Sequence, residues 1–140
     1  MPLWRIYHPE NFFSASEQNE LAQSITQLYT HLLPAFYVNI LFIPVAHTNM
    51  YVGGVQRNNF VRLAIEHIAR NFDGDKERMA GMMKRINTAV GPTFKAKNAD
   101  WEAHITETRF ELWTMNGIQP PVPGSDLEKL WKKENKPVRG

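Results

Sequence analysis

A strand-like run, an amphipathic helical stretch and a second strand-like run occur twice along this chain, and that doubling restricts the fold more than any other feature. The two copies are offset by about 57 residues at their first strands and about 60 at their helices. In the first copy, residues 3–8 are bulky and too few for a helix, so a strand begins almost at the first residue. Ser14 and Glu17 have capping-box spacing, and Leu21, Ile25, Leu28 and Leu32 follow at helical intervals until Pro34. Residues 36–43 form an apolar run closed by Pro44, with Asn39 its only strongly polar member, which predicts a strand covered on both faces. Gly53 and Gly54 within residues 51–56 predict a tight hairpin or turn.

The second copy opens on a strand at residues 60–68. Asp73 or Asp75 caps a helix with the apolar stripe Met79, Met82, Met83, Ile86 and Val90, and Gly91 with Pro92 terminates it. Residues 104–113 alternate in part like a strand, after which Gly117, Pro120, Pro121, Pro123 and Gly124 break regular structure. The expected architecture is α/β: two fused βαβ units, about 2–56 and 60–117, form one sheet with two helices on one face. The opposite face, with aromatics such as Trp4 and Phe110, is then a surface for oligomerisation. Residues 1–124 make one domain, and 125–140 a charged tail that is either a short helix or an arm on a neighbour.

Composition narrows the function classes. A chain of 140 residues that is 43% hydrophobic has the size of one globular domain and is too apolar to be disordered. No apolar run approaches the ~18 residues of a membrane span, and residues 1–10 lack the pattern of a secretory signal. With no cysteine, a reducing cytoplasmic setting is expected. The net charge of +2 is concentrated in the tail at Lys129, Lys132, Lys133, Lys136 and Arg139, so no nucleic-acid footprint is expected. His8, His31, His47, His67 and His104 lack zinc-site spacing and no acidic cluster suggests a hard cation, so neither metal nor cofactor is expected. Glu66 and His67, adjacent on a strand, face opposite ways and do not form a local pair.

Pro2 is the residue with distinctive chemistry. Removal of Met1 would leave a secondary amine at the end of a strand, and a terminal amine titrates at roughly 7.7 to 8.0. Burial disfavours its cation and brings it near neutrality, where it serves as a general base. With Met1 retained, the same nitrogen is an amide with no basicity, and a Met-Pro start is then without catalytic meaning.

A proline-led strand, an amphipathic helix, a buried strand, the segment 49–56 and a second such unit together resemble the tautomerase superfamily. The resemblance spans nearly the whole chain. It is most specific at residues 2–9, 33–38, 49–54, 66–69 and 101–117. More narrowly the chain looks like the fused-repeat branch containing cis-3-chloroacrylic acid dehalogenase, and closer still like fungal proteins described as oxalocrotonate tautomerases. That resemblance implies a homotrimer of βαβ-βαβ protomers in which the amino-terminal proline acts as acid or base on small carbonyl acids.

Carried over residue by residue, the resemblance makes Arg70 the holder of the substrate carboxylate, a task that suits a planar guanidinium. The alternative is a solvated charge at a strand end. Tyr29 stands where the branch has a helix histidine and can still donate a hydrogen bond; otherwise it packs beside Leu28 and Leu32. His104 falls where the branch has a tyrosine, and it is either functional or a structural strand histidine. Met115 replaces the branch's water-activating glutamate, and a thioether takes no proton from water. Glu107 is the substitute in principle, or simply a solvated carboxylate.

The leading expectation is therefore a cofactor-free tautomerase with Pro2, Tyr29 and His104 in catalysis and Arg70 in binding. Two alternatives stand beside it: a noncatalytic ligand-binding or assembly protein on the same fold, and a weak dehalogenase or hydratase.

Overall fold

The structure is a computed structural model and describes residues 1–68 and 70–139; Ala69 and Gly140, the ends of two segments named above, lie outside them. Strand β1 (Pro2–Pro9) leads into helix α1 (Ala15–Gln27), β2 (Asn39–Val45), a hairpin of β3 (Tyr51–Val52) and β4 (Val55–Gln56), and β5 (Phe60–Ile68). Helix α2 (Lys76–Ala96), β6 (Asp100–Thr108) and α3 (Asp126–Glu134) complete the order. The main sheet runs β2-β1-β5-β6. Within each unit the strands are parallel, β1 with β2 and β5 with β6, while β1 and β5 join the units antiparallel with Pro2 opposite His67. Among the described residues, no helix is long and apolar enough to cross a membrane.

Alternation along β1 and β5 sorts the side chains. Trp4, Ile6, Val61, Leu63 and Ile65 point into one core with Leu21 and Ile25 of α1 and Met82, Ile86, Val90 and Phe94 of α2. Trp4 is thus fully buried beneath the helices, not on the opposite face, and Phe110 lies in a short 3-10 turn after β6. The open face instead carries ion pairs, Arg5 with Glu66 at 2.7 Å and Arg62 with Glu102.

Several boundaries differ from the sequence reading. Residues 35–37 form a 3-10 turn, and β2 begins at Asn39 and runs through Pro44 to Val45. Proline is tolerated there because β2 is an edge strand, and one of its faces is exposed because the helices cover only the other side of the sheet. Helix α2 passes through Gly91 and Pro92 to Ala96; Gly91 lies under Trp101, whose ring is 3.6 Å from where a Cβ would sit. Strand β6 starts at Asp100 and stops at Thr108, four residues earlier at its start and five at its end than periodicity suggests, because it pairs along all of β5.

Local signals held elsewhere. Ser14 and Glu17 form the reciprocal capping box, and Asp75 accepts from the amides of Glu77 and Arg78. Gly53 and Gly54 both have positive φ, 59° and 77°, the geometry of a two-residue hairpin turn. Helix α3 is capped by Ser125 and closed by Asn135 in the left-handed conformation, and its Trp131 is wholly buried against Phe36 and Tyr37.

Candidate active site

Helix α1 ends at Gln27, and the chain then tightens into turns in which Leu28 bonds back to Ile25 and Tyr29 to Thr26. Those turns drive Tyr29 inward instead of continuing a surface stripe. Its hydroxyl accepts a hydrogen bond from Trp4 Nε1 at 3.0 Å and lies 2.9 Å from His67 Nε2 on β5. Burial holds His67 down at about 4, with the positive amino terminus adding to the effect, so the ring is neutral near pH 7. Because the indole N–H occupies the Tyr29 oxygen, we assign the tyrosine proton to His67 Nε2, which leaves the ring proton on Nδ1. Burial also raises the Tyr29 phenol well above its usual range, so it remains a donor.

Tyr29 and His67 line a cavity of about 460 Å³ at the amino terminus. Pro2 lies at its base, fully buried, and the Met1 amine donates to the Ile68 carbonyl while Ile68 N–H returns to Met1 O at 2.8 Å. Burial first, and then the nearby Arg70 guanidinium, lower that amine from 8.0 to about 5; Glu128 acts in the opposite direction. Leu28, Leu32, Phe72 and Met82 make the lining apolar, and Arg70, Arg78 and Arg85 bring positive charge to it. None of the described residues lining the cavity is Asp or Glu.

The three arginines are held differently. Arg70 pairs with Glu128 of α3 at 2.7 Å. Arg78 reaches the carbonyls of Phe72 and Asn71 at 3.5 and 3.4 Å, and Arg85 reaches the Leu28 carbonyl at 2.6 Å. Among the described residues neither of these two has a carboxylate partner within 4.0 Å. Such a pocket attracts an acid with an apolar body.

The structure therefore brings Pro2, Tyr29 and Arg70 to one cavity. His104 lies elsewhere: it is on the open face of β6, its Nδ1 3.1 Å from Arg62 Nη2. Glu107 accepts from the Phe72 amide at 2.6 Å and fastens the loop after β5, while Met115 bridges to Ile118. His67, Arg78, Arg85 and Glu128 escaped the sequence reading. His67 could have been found from its alternation with Glu66, which turns it to the helix side, whereas Glu128 carries no local signal. Among the described residues, no group of three or more His, Cys, Asp or Glu could hold a metal ion.

The depressed His67 has a consequence for stability. A histidine at 6.5 when unfolded and about 4 when folded binds more protons in the unfolded chain between those values. Its contribution is intact above pH 6.5 and is lost as pH falls toward 4, by up to about 3 kcal/mol. Urea unfolding at pH 7.5 and pH 4 should show a smaller acid loss in His67→Gln than in the parent protein; equal losses would refute the assignment.

Two βαβ units fused in one sheet, with a proline at the start of the first strand, are the tautomerase fold. The family described as "Putative oxalocrotonate tautomerase enzyme" matches residues 1–136, and the chain belongs to it. Native RhCC from Rhodococcus jostii RHA1 is 43% identical over 99% of this chain and 99% of its own, with a TM-score of 0.95. A probable enzyme from the thermophilic fungus Aspergillus fumigatus is 45% identical over 100% of this chain and 98% of its own, with a TM-score of 0.92. Likeness of fold alone extends to N1, a member of the cis-3-chloroacrylic acid dehalogenase family, at 13% identity over 94% and 96% of the two chains and a TM-score of 0.72. It extends as well to a fused 4-OT solved as an asymmetric trimer, at 19% identity over 84% and 94% and a TM-score of 0.62. Among functionally curated proteins none matches.

Proposed function

We propose that the protein is a cofactor-free tautomerase that interconverts the enol and keto forms of a small 2-oxo carboxylic acid after removal of Met1. The freed Pro2 amine takes the enol O–H proton and delivers it to C3, the alkene carbon that does not bear the oxygen, as C2 becomes the carbonyl carbon, so one proton moves and no co-reactant is needed. Arg70 holds the substrate carboxylate, and when substrate enters the Tyr29 proton turns from His67 Nε2 to the oxygen on which charge develops. The observation that carries this reading is the amino terminus itself, buried at the base of an apolar, arginine-flanked cavity that drives an amine there toward neutrality. Phenylenolpyruvate turnover by protein shown by intact mass to lack Met1, compared with Pro2→Ala, tests it; equal rates would remove proline from the mechanism.

Retention of Met1 favours a noncatalytic ligand-binding role, because an acylated Pro2 nitrogen has no base to offer. Hydrolytic dehalogenation is the weaker enzymatic reading, since Met115 is no base and the Glu107 carboxylate is bound to the Phe72 amide. His104, on the open sheet face, has no part in the proposed step within one protomer. That same face supports assembly as a homotrimer, its paired charges and the half-exposed Leu41 leaving a broad sheet surface uncovered. Light scattering should then give three times the 16.2 kDa chain mass, and a monomer would end that reading.

A further inference from the structure

Arg70 is fastened from outside the two βαβ units. Its Nη2 donates to Glu128 Oε1, and the Glu128 side chain, 7% exposed, is itself immobilised because Oε2 accepts from the Gly124 amide at 2.5 Å. The Glu128 amide in turn bonds to the Ser125 hydroxyl at 3.2 Å. Arg70 Nε is buried and without a partner, so the guanidinium has no other anchor among the described residues. A free arginine side chain loses rotamer freedom when it clamps a carboxylate, and fixing it beforehand removes that loss from binding.

We propose that Glu128 is a positioning residue that acts through Arg70, holding the guanidinium at the amino-terminal cavity so that α3 completes the carboxylate site. The inference rests on the carboxylate-binding role given to Arg70 above. It commits to a sign: if Glu128 merely competed for Arg70, its removal would strengthen carboxylate binding, whereas a positioning role makes removal weaken it. Arg70 lines the cavity, and Glu128, which does not, holds it at 2.7 Å.

The test uses full-length protein and phenylacetate, an unreactive monocarboxylate, with binding measured by calorimetry. Glu128→Gln should weaken phenylacetate binding about tenfold and raise KM for phenylenolpyruvate similarly while leaving kcat little changed. In an Arg70→Ala background the same change should have no further effect, the signature of action through that arginine. Asp126→Asn, which removes the exposed pair with Lys129 on the same helix without touching Arg70 or Glu128, should leave affinity unchanged, and an equal weakening there would overturn the proposal. So would tightened or unchanged binding in Glu128→Gln while Arg70→Ala abolishes binding. If Arg70→Ala binds phenylacetate as the parent protein does, or the parent does not bind it, the role of Arg70 falls first. A readout without ligand is the Arg70 Nε–H resonance, protected in the parent protein and exchange-broadened in Glu128→Gln; equal protection in both overturns the positioning role.

Discussion

Protein freed of Met1 is expected to convert phenylenolpyruvate roughly 100-fold or more faster than protein that keeps it. Acylation draws the Pro2 lone pair into the amide, so the group that should accept a proton is missing. The retained methionine also lines the cavity, taking space next to Tyr29, His67 and Arg70. Pro2→Ala is a milder lesion because a terminal amine survives, and about a tenfold loss is expected from its altered placement. A pH profile adds a sign. Burial and Arg70 oppose protonation of an amine at this end of the chain, so its base form should persist below pH 8.0 and the rate should fall only on further acidification. Equal activity with and without Met1 would place the proton transfer on some other residue.

Truncating Trp131 is expected to have the largest effect on stability. Its ring is completely buried, packs against Phe36 and Tyr37, and donates from Nε1 to the Val138 carbonyl at 2.7 Å. Trp131→Ala should lower unfolding free energy by about 3–5 kcal/mol in urea titrations, from lost burial and the cavity left behind. Since domains of this size are stable by only ~5–15 kcal/mol, that is a large share. A loss under about 1 kcal/mol would mean that α3 is peripheral to the core. Because the same helix carries Glu128, loosening it should also release Arg70.

Much of the architecture could be read along the chain because its causes are local. The Ser14–Glu17 cap, the Asp75 cap and the paired glycines of the hairpin each act within a few residues, and the strand–helix–strand repeat follows from periodicity. Where neighbours far along the chain decide, the reading failed. Pro44 sits inside a strand because β2 has a free edge, and Pro92 sits inside a helix whose buried stripe runs on to Phe94. Trp4 lies under the helices and not on the open face, and a bulky residue next to an arginine does not reveal which side the helices cover.

The sequence by itself determined the two βαβ units, the family, and the proline, tyrosine and arginine that meet at one cavity. Only the tertiary structure decided their surroundings. Pairing of β1 with β5 sets Pro2 against His67, the turns after α1 bring Tyr29 between His67 and Trp4, and docking of α3 delivers Glu128 across 58 positions to Arg70. Burial and electrostatic forces depend on distance in space, and propensity and spacing along the chain report only on neighbours in sequence.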